Sequence, residues 1–212
     1  MGTNRLETFA DGVFAIAATL LILNIDEGVA ADSRNLGAQL LHIWPSYVGY
    51  GVSFLTIGIM WANHHTLMHQ LARADRVLVM LTIGLMLCIA FVPFPTRLVA
   101  EHIRDNGVRP AALAYGATMT MAALMFLSIW LYASRGGRLL REDADPRMIR
   151  GITRSYLPGV PIYLASTLIA FASPITSVVL YGATAAFFVL ESSLFGGRLD
   201  QDEDESSVDF ER

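Results

Sequence analysis

Six long apolar runs dominate this 212-residue chain, and short polar segments separate them. Each run is close to the ~20 residues that an α-helix needs to cross the hydrocarbon core of a bilayer. Hydrophobic residues make up 54% of the chain and charged residues only 16%, whereas about a quarter of a soluble domain is charged. The sequence therefore predicts an all-α, polytopic membrane protein with six transmembrane helices. They are expected over residues 9–25, 40–62, 77–99, 110–133, 156–172 and 174–195.

The basic residues, all of them arginine, predict how these helices are oriented, because positive residues are retained on the cytoplasmic side. With a cytoplasmic N-terminus, eleven of the fifteen arginines fall inside and four outside. The four outside are Arg34, Arg97, Arg104 and Arg109. We therefore expect a multi-pass protein of the cell (plasma) membrane with both termini in the cytoplasm. A cleaved signal peptide is the alternative for the first run, but Glu7 and Asp11 are acidic where such a peptide is basic.

Domain organisation follows from the same pattern. Residues 1–198 are expected to form one six-helix transmembrane domain, and residues 199–212 an acidic, disordered cytoplasmic tail. The join at Ser173–Pro174 is so short that the fifth and sixth runs are expected to form a helical hairpin.

Several function classes lack support in the sequence. No basic patch has interleaved aromatic residues, so a nucleic-acid partner is not expected. The single cysteine, Cys88, lies in an apolar run and cannot form an intrachain disulfide. The loops leave no room for a soluble catalytic domain, and no paired acids or nucleophile–base set occur at membrane depth. We expect neither an enzyme nor a bound cofactor.

The first apolar run begins with an acid, Asp11, preceded by Arg5. A carboxylate at the edge of an apolar helix is costly unless it is paired or hydrated. Asp11 could cap the helix and interact with its positive dipole end. It could instead join a polar network with another helix. Arg5 lies six residues back, too far round the helix for a simple pair, which favours the network.

One face of this first helix is a narrow apolar stripe broken by a single hydroxyl. Gly12, Ile16, Thr19 and Leu23 share the face at helical spacing, and Leu20 lies beside them. The stripe could be a packing seam in which Thr19 bonds back to the carbonyl of Ala15. It could also form a hydrophobic constriction with a ring of hydroxyls, if several copies of the helix surround an axis. The residues alone favour packing.

The second helix ends in a cluster of polar side chains. His65 and His69 have the spacing of metal ligands on a helix, but no acid or cysteine lies near them in sequence, so no metal site is expected. A polar network at the cytoplasmic end of the helix is favoured instead. The predicted topology brings Asn63 and His64 to the same membrane face as Arg5 and Asp11.

Two of these segments resemble motifs of one known family. The start of the first helix, Arg5 followed by Phe9, Ala10 and Asp11, resembles the Arg-x-x-x-Phe-Ser-Asp signature of the prokaryotic transmembrane protein 175 potassium channels, with alanine in place of the serine. The segment Trp61-Ala62-Asn63-His64-His65 resembles the family's Trp-x-Asn-His-His segment. Pro93 near the end of the third helix also fits.

The resemblance implies a homotetramer of six-helix subunits that conducts K⁺ as the permeant ion. It implies a pore lined by the first helix, with a constriction formed by Ile16, Leu20 and Leu23 and a selectivity ring formed by Thr19. It also implies a cytoplasmic-side network. The residues of that network are Arg5, Phe9, Asp11, Asn63 and His64.

Two other functions stay open at this point. A proton leak channel would use the histidine cluster. A non-conducting membrane scaffold would need no pore, and its subunits would be monomeric or dimeric. The expected partners are further copies of the chain and membrane lipid.

Overall fold

The computed structural model describes residues 3–26, 35–141 and 146–188, and these residues fold almost entirely into α-helices. Within them the only β-type pairing is one isolated bridge between Leu71 and Leu140. The predicted all-α class is therefore confirmed. The predicted boundary at residue 198 and the acidic tail lie outside the described residues.

Ten α-helices are described, and their bounds in chain order are as follows: α1 (Thr3–Leu20), α2 (Leu23–Asp26), α3 (Leu36–His42), α4 (Trp44–His69), α5 (Arg76–Phe91), α6 (Pro93–His102), α7 (Val108–Ser134), α8 (Pro146–Tyr156), α9 (Gly159–Ile169) and α10 (Pro174–Phe188).

Three described segments are long and apolar enough to cross a membrane: Thr3–Ile25, Arg76–His102 and Val108–Gly137. A fourth is present if α3 and α4, which meet at an angle of 48°, count as one broken span. The expected membrane-spanning chain is confirmed at this level. At 1.5 Å per residue the 11-residue α9 is only about 16 Å long, roughly half of a ~30 Å hydrocarbon core. Six crossings therefore stay a prediction.

Two of the breaks between helices coincide with proline. Pro45 lies in the first turn of α4, just after the bend at Ile43, and Pro93 begins α6 immediately after α5 ends. Proline lacks the N–H that would continue the preceding helix and is favoured at the first helical position. The segments are then fastened to each other, since the Ser53 and Thr96 hydroxyls form a buried hydrogen bond of 2.8 Å between α4 and α6.

Helix α7 lies at the centre of the fold, and α5, α6 and α9 pack around it. Its side chains Met119, Ile129 and Trp130 are fully buried. α9 and α10 form the predicted hairpin, in which the Ser177 hydroxyl donates to the carbonyl of Ser166 at 2.6 Å. α1 lies at the edge of this arrangement, packed on α4 and α5.

At one end of the bundle the α4–α5 connection pairs with residues 139–141, which follow α7. The amide of Ala72 donates to the carbonyl of Leu139 at 2.9 Å, and Gly136 and Gly137 make the required turn with positive φ angles. Asp75 caps α5 by accepting from the Leu78 amide at 2.9 Å, and it also accepts from the Tyr132 hydroxyl. The hydrogen bond from the Leu78 amide lowers the pKa of the Asp75 carboxyl below its usual range, and the bond from the Tyr132 hydroxyl adds a smaller shift in the same direction.

The closest approach in the core is at Gly116 of α7. A methyl group at this position would overlap the hydroxyl oxygens of Tyr181 and Thr167. Tyr181 has little freedom to move, because it is buried and its hydroxyl donates to the carbonyl of Ala112.

We therefore expect Gly116→Ala to destabilise the protein by about 1–3 kcal/mol through overpacking. Gly182→Ala on α10 is the matched control, because a methyl group there meets nothing within 4 Å. It should leave stability unchanged within about 1 kcal/mol. Thermal unfolding of both variants in the same detergent measures the difference, and equal melting temperatures would refute the packing described around Gly116.

Candidate functional site

Helix α1 begins at Thr3, six residues before the start expected from apolarity at residue 9. The polar residues of this first part are helical too, so Glu7 and Asp11 lie one turn apart on the same side of α1. Apolarity could not predict this extension, because polar helical turns that emerge from a bilayer carry no hydrophobic signal.

One face of α1 and its extension is buried against α4 and α5. Ala10, Phe14, Ala17 and Leu21 recur at alternating spacings of four, three and four residues, and all four side chains are almost fully buried. This spacing follows one stripe along a helix. Small residues at two of the four positions let α1 approach its neighbours closely.

The opposite face of α1 is largely exposed in the part of the chain that the structure describes. The side chains of Ile16, Leu20 and Leu23 are 61%, 42% and 59% exposed. Thr19 and Gly12 are exposed on the same face. All five residues predicted to form the stripe therefore lie outside the subunit core. Among the described residues of one chain this exposure does not fit a packing seam, and the choice between packing and a constriction stays a prediction.

The Thr19 hydroxyl is hydrogen-bonded to its own helix. Its oxygen lies 2.9 Å from the carbonyl of Ile16 and 3.0 Å from that of Ala15, as expected for back-bonding. The single hydroxyl proton is used in this way, and the oxygen retains lone pairs that no backbone donor occupies in these contacts. The regular helix ends at the next residue, Leu20, and the Ile22 amide donates to the carbonyl of Thr19 in a tighter turn. Leu23 therefore begins a separate short helix, α2.

Two side-chain pairs join α1 to the end of α4. Trp61 donates its indole N–H to Asp11 Oδ1 at 2.9 Å, and His65 Nδ1 lies 2.8 Å from Glu7 Oε1. One turn forward along α1 corresponds to one turn back along α4, as antiparallel helices require. The Trp61 and His65 rings also stack, with centroids 5.8 Å apart.

The remaining residues of the predicted network are distributed around these pairs. Arg5 and Phe9 are exposed on α1. Asn63 contributes its backbone carbonyl, which accepts from the Tyr156 hydroxyl at 2.9 Å. His64 is fully buried, with its ring 5.6 Å from that of Phe14. Within the described residues, neither ring nitrogen of His64 has a hydrogen-bond partner.

The sequence-based prediction therefore located the helices that meet but not the side chains that bond. Asp11 does pair across helices, yet its partner is Trp61 rather than Arg5, Asn63 or His64. Glu7, which the sequence does not place in the network, pairs with His65. Glu7 and Asp11 are four residues apart, as are Trp61 and His65, and this equal spacing is a signal in the sequence for the two pairs. It becomes usable only when the antiparallel register of the two helices is known.

Comparison with known proteins agrees with this geometry. Residues 5–93, which contain most of α1 and all of α4 and α5, match the family model described as endosomal/lysosomal potassium channel TMEM175. A protein of Chamaesiphon minutus named a potassium channel is 37% identical over 90% of this chain and 95% of its own length. A Gallus gallus protein named an endosomal/lysosomal proton channel TMEM175 is 33% identical, but the match covers 63% of this chain and only 28% of that protein.

Among solved structures, the crystal structure of a lysosomal potassium-selective channel TMEM175 homolog from Chamaesiphon minutus superposes with a TM-score of 0.79. The alignment is 34% identical and covers 90% of this chain and 97% of that one. Both the sequence match and the shared fold extend over 90% of this chain. The chain belongs to the TMEM175 family of membrane channels.

Proposed function

We propose that this protein is a passive, potassium-preferring cation channel of the cell membrane. Four copies would surround a central pore, each contributing α1. Each subunit would cross the membrane six times, with α9 and α10 as the last two crossings and both termini in the cytoplasm. The relatives named potassium channels support the ion, and the uncovered face of α1 supports the location of the pore.

The observation that carries this proposal is how little of α1 its own subunit covers. In the most apolar stretch of Thr3–Ile25, only 22% of the residues are buried, against 39% in Arg76–His102 and 50% in Val108–Gly137. A helix that is largely uncovered faces either lipid or other subunits. The face of α1 that is left open carries the Thr19 hydroxyl, whose proton is bonded to its own helix. The exposure of this face, together with the similarity of the chain to proteins named channels, supports contact between copies of α1 rather than a face turned to lipid.

The side chains on the exposed face of α1 are suited to form a hydrophobic gate. Ile16, Leu20 and Leu23 are large aliphatic groups that project away from the subunit core. Four copies around an axis would form hydrophobic constrictions, which exclude water and block ions when they are narrow. The Thr19 oxygens would lie between them, with their protons held by the helix backbone. Such oxygens can replace part of the hydration shell of a cation.

Ile16→Asn tests the constriction. An amide at this position would hydrate the narrow region and lower the barrier to ions, so we expect the K⁺ flux into liposomes to rise by on the order of tenfold, which corresponds to ~1.4 kcal/mol. Leu87→Asn on α5 is the matched control, because Leu87 is an equally apolar side chain, 73% exposed, on another helix. It should leave the flux unchanged. An increase in the control, or none in Ile16→Asn, would remove Ile16 from the permeation path.

Thr19→Val tests the hydroxyl ring. Valine keeps the shape of threonine but lacks the oxygen, so we expect the preference for K⁺ over Na⁺ to fall severalfold while ions still pass. Reversal potentials in K⁺/Na⁺ gradients measure this preference. Thr184→Val on α10 is the control, because Thr184 also bonds back to its own helix but lies on another element. Unchanged selectivity in Thr19→Val would exclude the proposed ring.

A proton leak is the second candidate function. The buried His64, whose ring nitrogens have no partner among the described residues, could relay protons, and the Gallus gallus relative is named a proton channel. Liposomes that contain a pH-sensitive dye distinguish the two ions. Proton entry that disappears in His64→Ala while K⁺ flux persists would favour this candidate. If the protein is a non-conducting scaffold, neither K⁺ nor protons should cross the liposome membrane in any variant.

A further inference from the structure

Three metal-ligating side chains meet where the start of α1 lies against the end of α4. They are Glu7 of α1 and His65 and His69 of α4, and one ligand atom from each lies within 4.8 Å of the others. In the sequence, His65 and His69 lacked an acidic neighbour, which disfavoured a metal. The fold supplies the missing acid from α1, 58 residues away from His65.

The local packing holds these ligands in position. His65 lies between Trp61, on which it stacks, and His69, whose ring meets it edge-on with centroids 4.4 Å apart. Trp61 is fixed in turn by its bond to Asp11. The side chain of Glu7 is 21% exposed and that of His65 47% exposed, so the site is accessible to an ion from solution.

The ligand set fits one class of ion. Two imidazoles at a spacing of four residues and one carboxylate form a common zinc-binding combination, with bonds of about 2.0–2.2 Å. Tetrahedral bonds of that length separate neighbouring ligand atoms by roughly 3.4 Å. The Glu7–His65 pair at 2.8 Å would open by about 0.6 Å to reach that separation, and no two of the three ligand atoms lie more than 4.8 Å apart. Mg²⁺ and Ca²⁺ prefer oxygen ligands and fit this site poorly.

We propose that Glu7, His65 and His69 form a binding site for a zinc-class divalent ion that fastens α1 to α4. The carboxylate offsets part of the charge of the ion. The fourth coordination position is left to water. When the ion binds, Glu7 and His65 both coordinate it instead of bonding directly to each other. His69 becomes the third ligand and adds a further link between α1 and α4. The site differs from the proposed pore in place and in chemistry, so it stands or falls independently of conduction.

The test is a zinc titration of the full chain in detergent, after any polyhistidine tag has been removed. Calorimetry should give one Zn²⁺ per subunit, and Glu7→Gln and His69→Ala should each weaken binding at least tenfold. His102→Ala is the matched control, because His102 pairs with Asp105 at 3.1 Å but belongs to no such group of three among the described residues. It should bind zinc as the unchanged protein does.

A second measurement guards against variants that simply misfold. Co²⁺ bound to the unchanged protein should give the visible absorption of a four-coordinate site, and Glu7→Gln should change that spectrum while its helical content and elution volume stay the same. Zinc binding that is absent from the unchanged protein, or that is lost equally in His102→Ala, would overturn the proposal. Retained affinity in both Glu7→Gln and His69→Ala would overturn it as well.

Discussion

The attachment of α1 by one face only is the constraint on which the rest of this structure depends. Ala10, Phe14, Ala17 and Leu21 bury a narrow stripe against α4 and α5, and the opposite side is left open. If α1 were wrapped by its own subunit, its aliphatic side chains would be ordinary core residues. Because it is not, they are available to form contacts between copies of the chain.

Holding a helix by one face requires its register to be set precisely. At one end of α1 the register is set by the pairs Glu7–His65 and Asp11–Trp61. Beyond the other end, in α2, the Asn24 side chain donates to the carbonyl of Pro93 at 3.0 Å. The polar groups lie at the two ends, and the apolar stripe lies between them. A shift by one residue would rotate α1 by about 100° and break both pairs. The same contacts that place α1 therefore determine which side chains face outward.

Much of this architecture could be predicted from the sequence. The apolar runs predicted an all-helical membrane chain, and prolines at positions 45 and 93 lie beside the breaks that the structure shows. Helical spacing predicts one face for Ile16, Thr19 and Leu23, and all three are exposed in the structure, although Leu23 lies in α2 beyond the end of α1. The partners of Asp11 and His65 could not be predicted, because they depend on the register of two helices far apart in sequence. The shortness of α9 was also missed, since an apolar run does not show where its helix begins and ends.

The central claim is that the open faces of α1 meet one another. It can be tested directly in membranes by placing one cysteine on that face, in a Cys88→Ser background so that no other thiol is present. With a short thiol-specific cross-linker, Ile16→Cys should yield covalent dimers of the subunit, whereas Leu87→Cys, on an exposed face of α5, should remain monomeric. Cross-linking at position 87 but not at position 16 would contradict the account, because α1 would then face lipid.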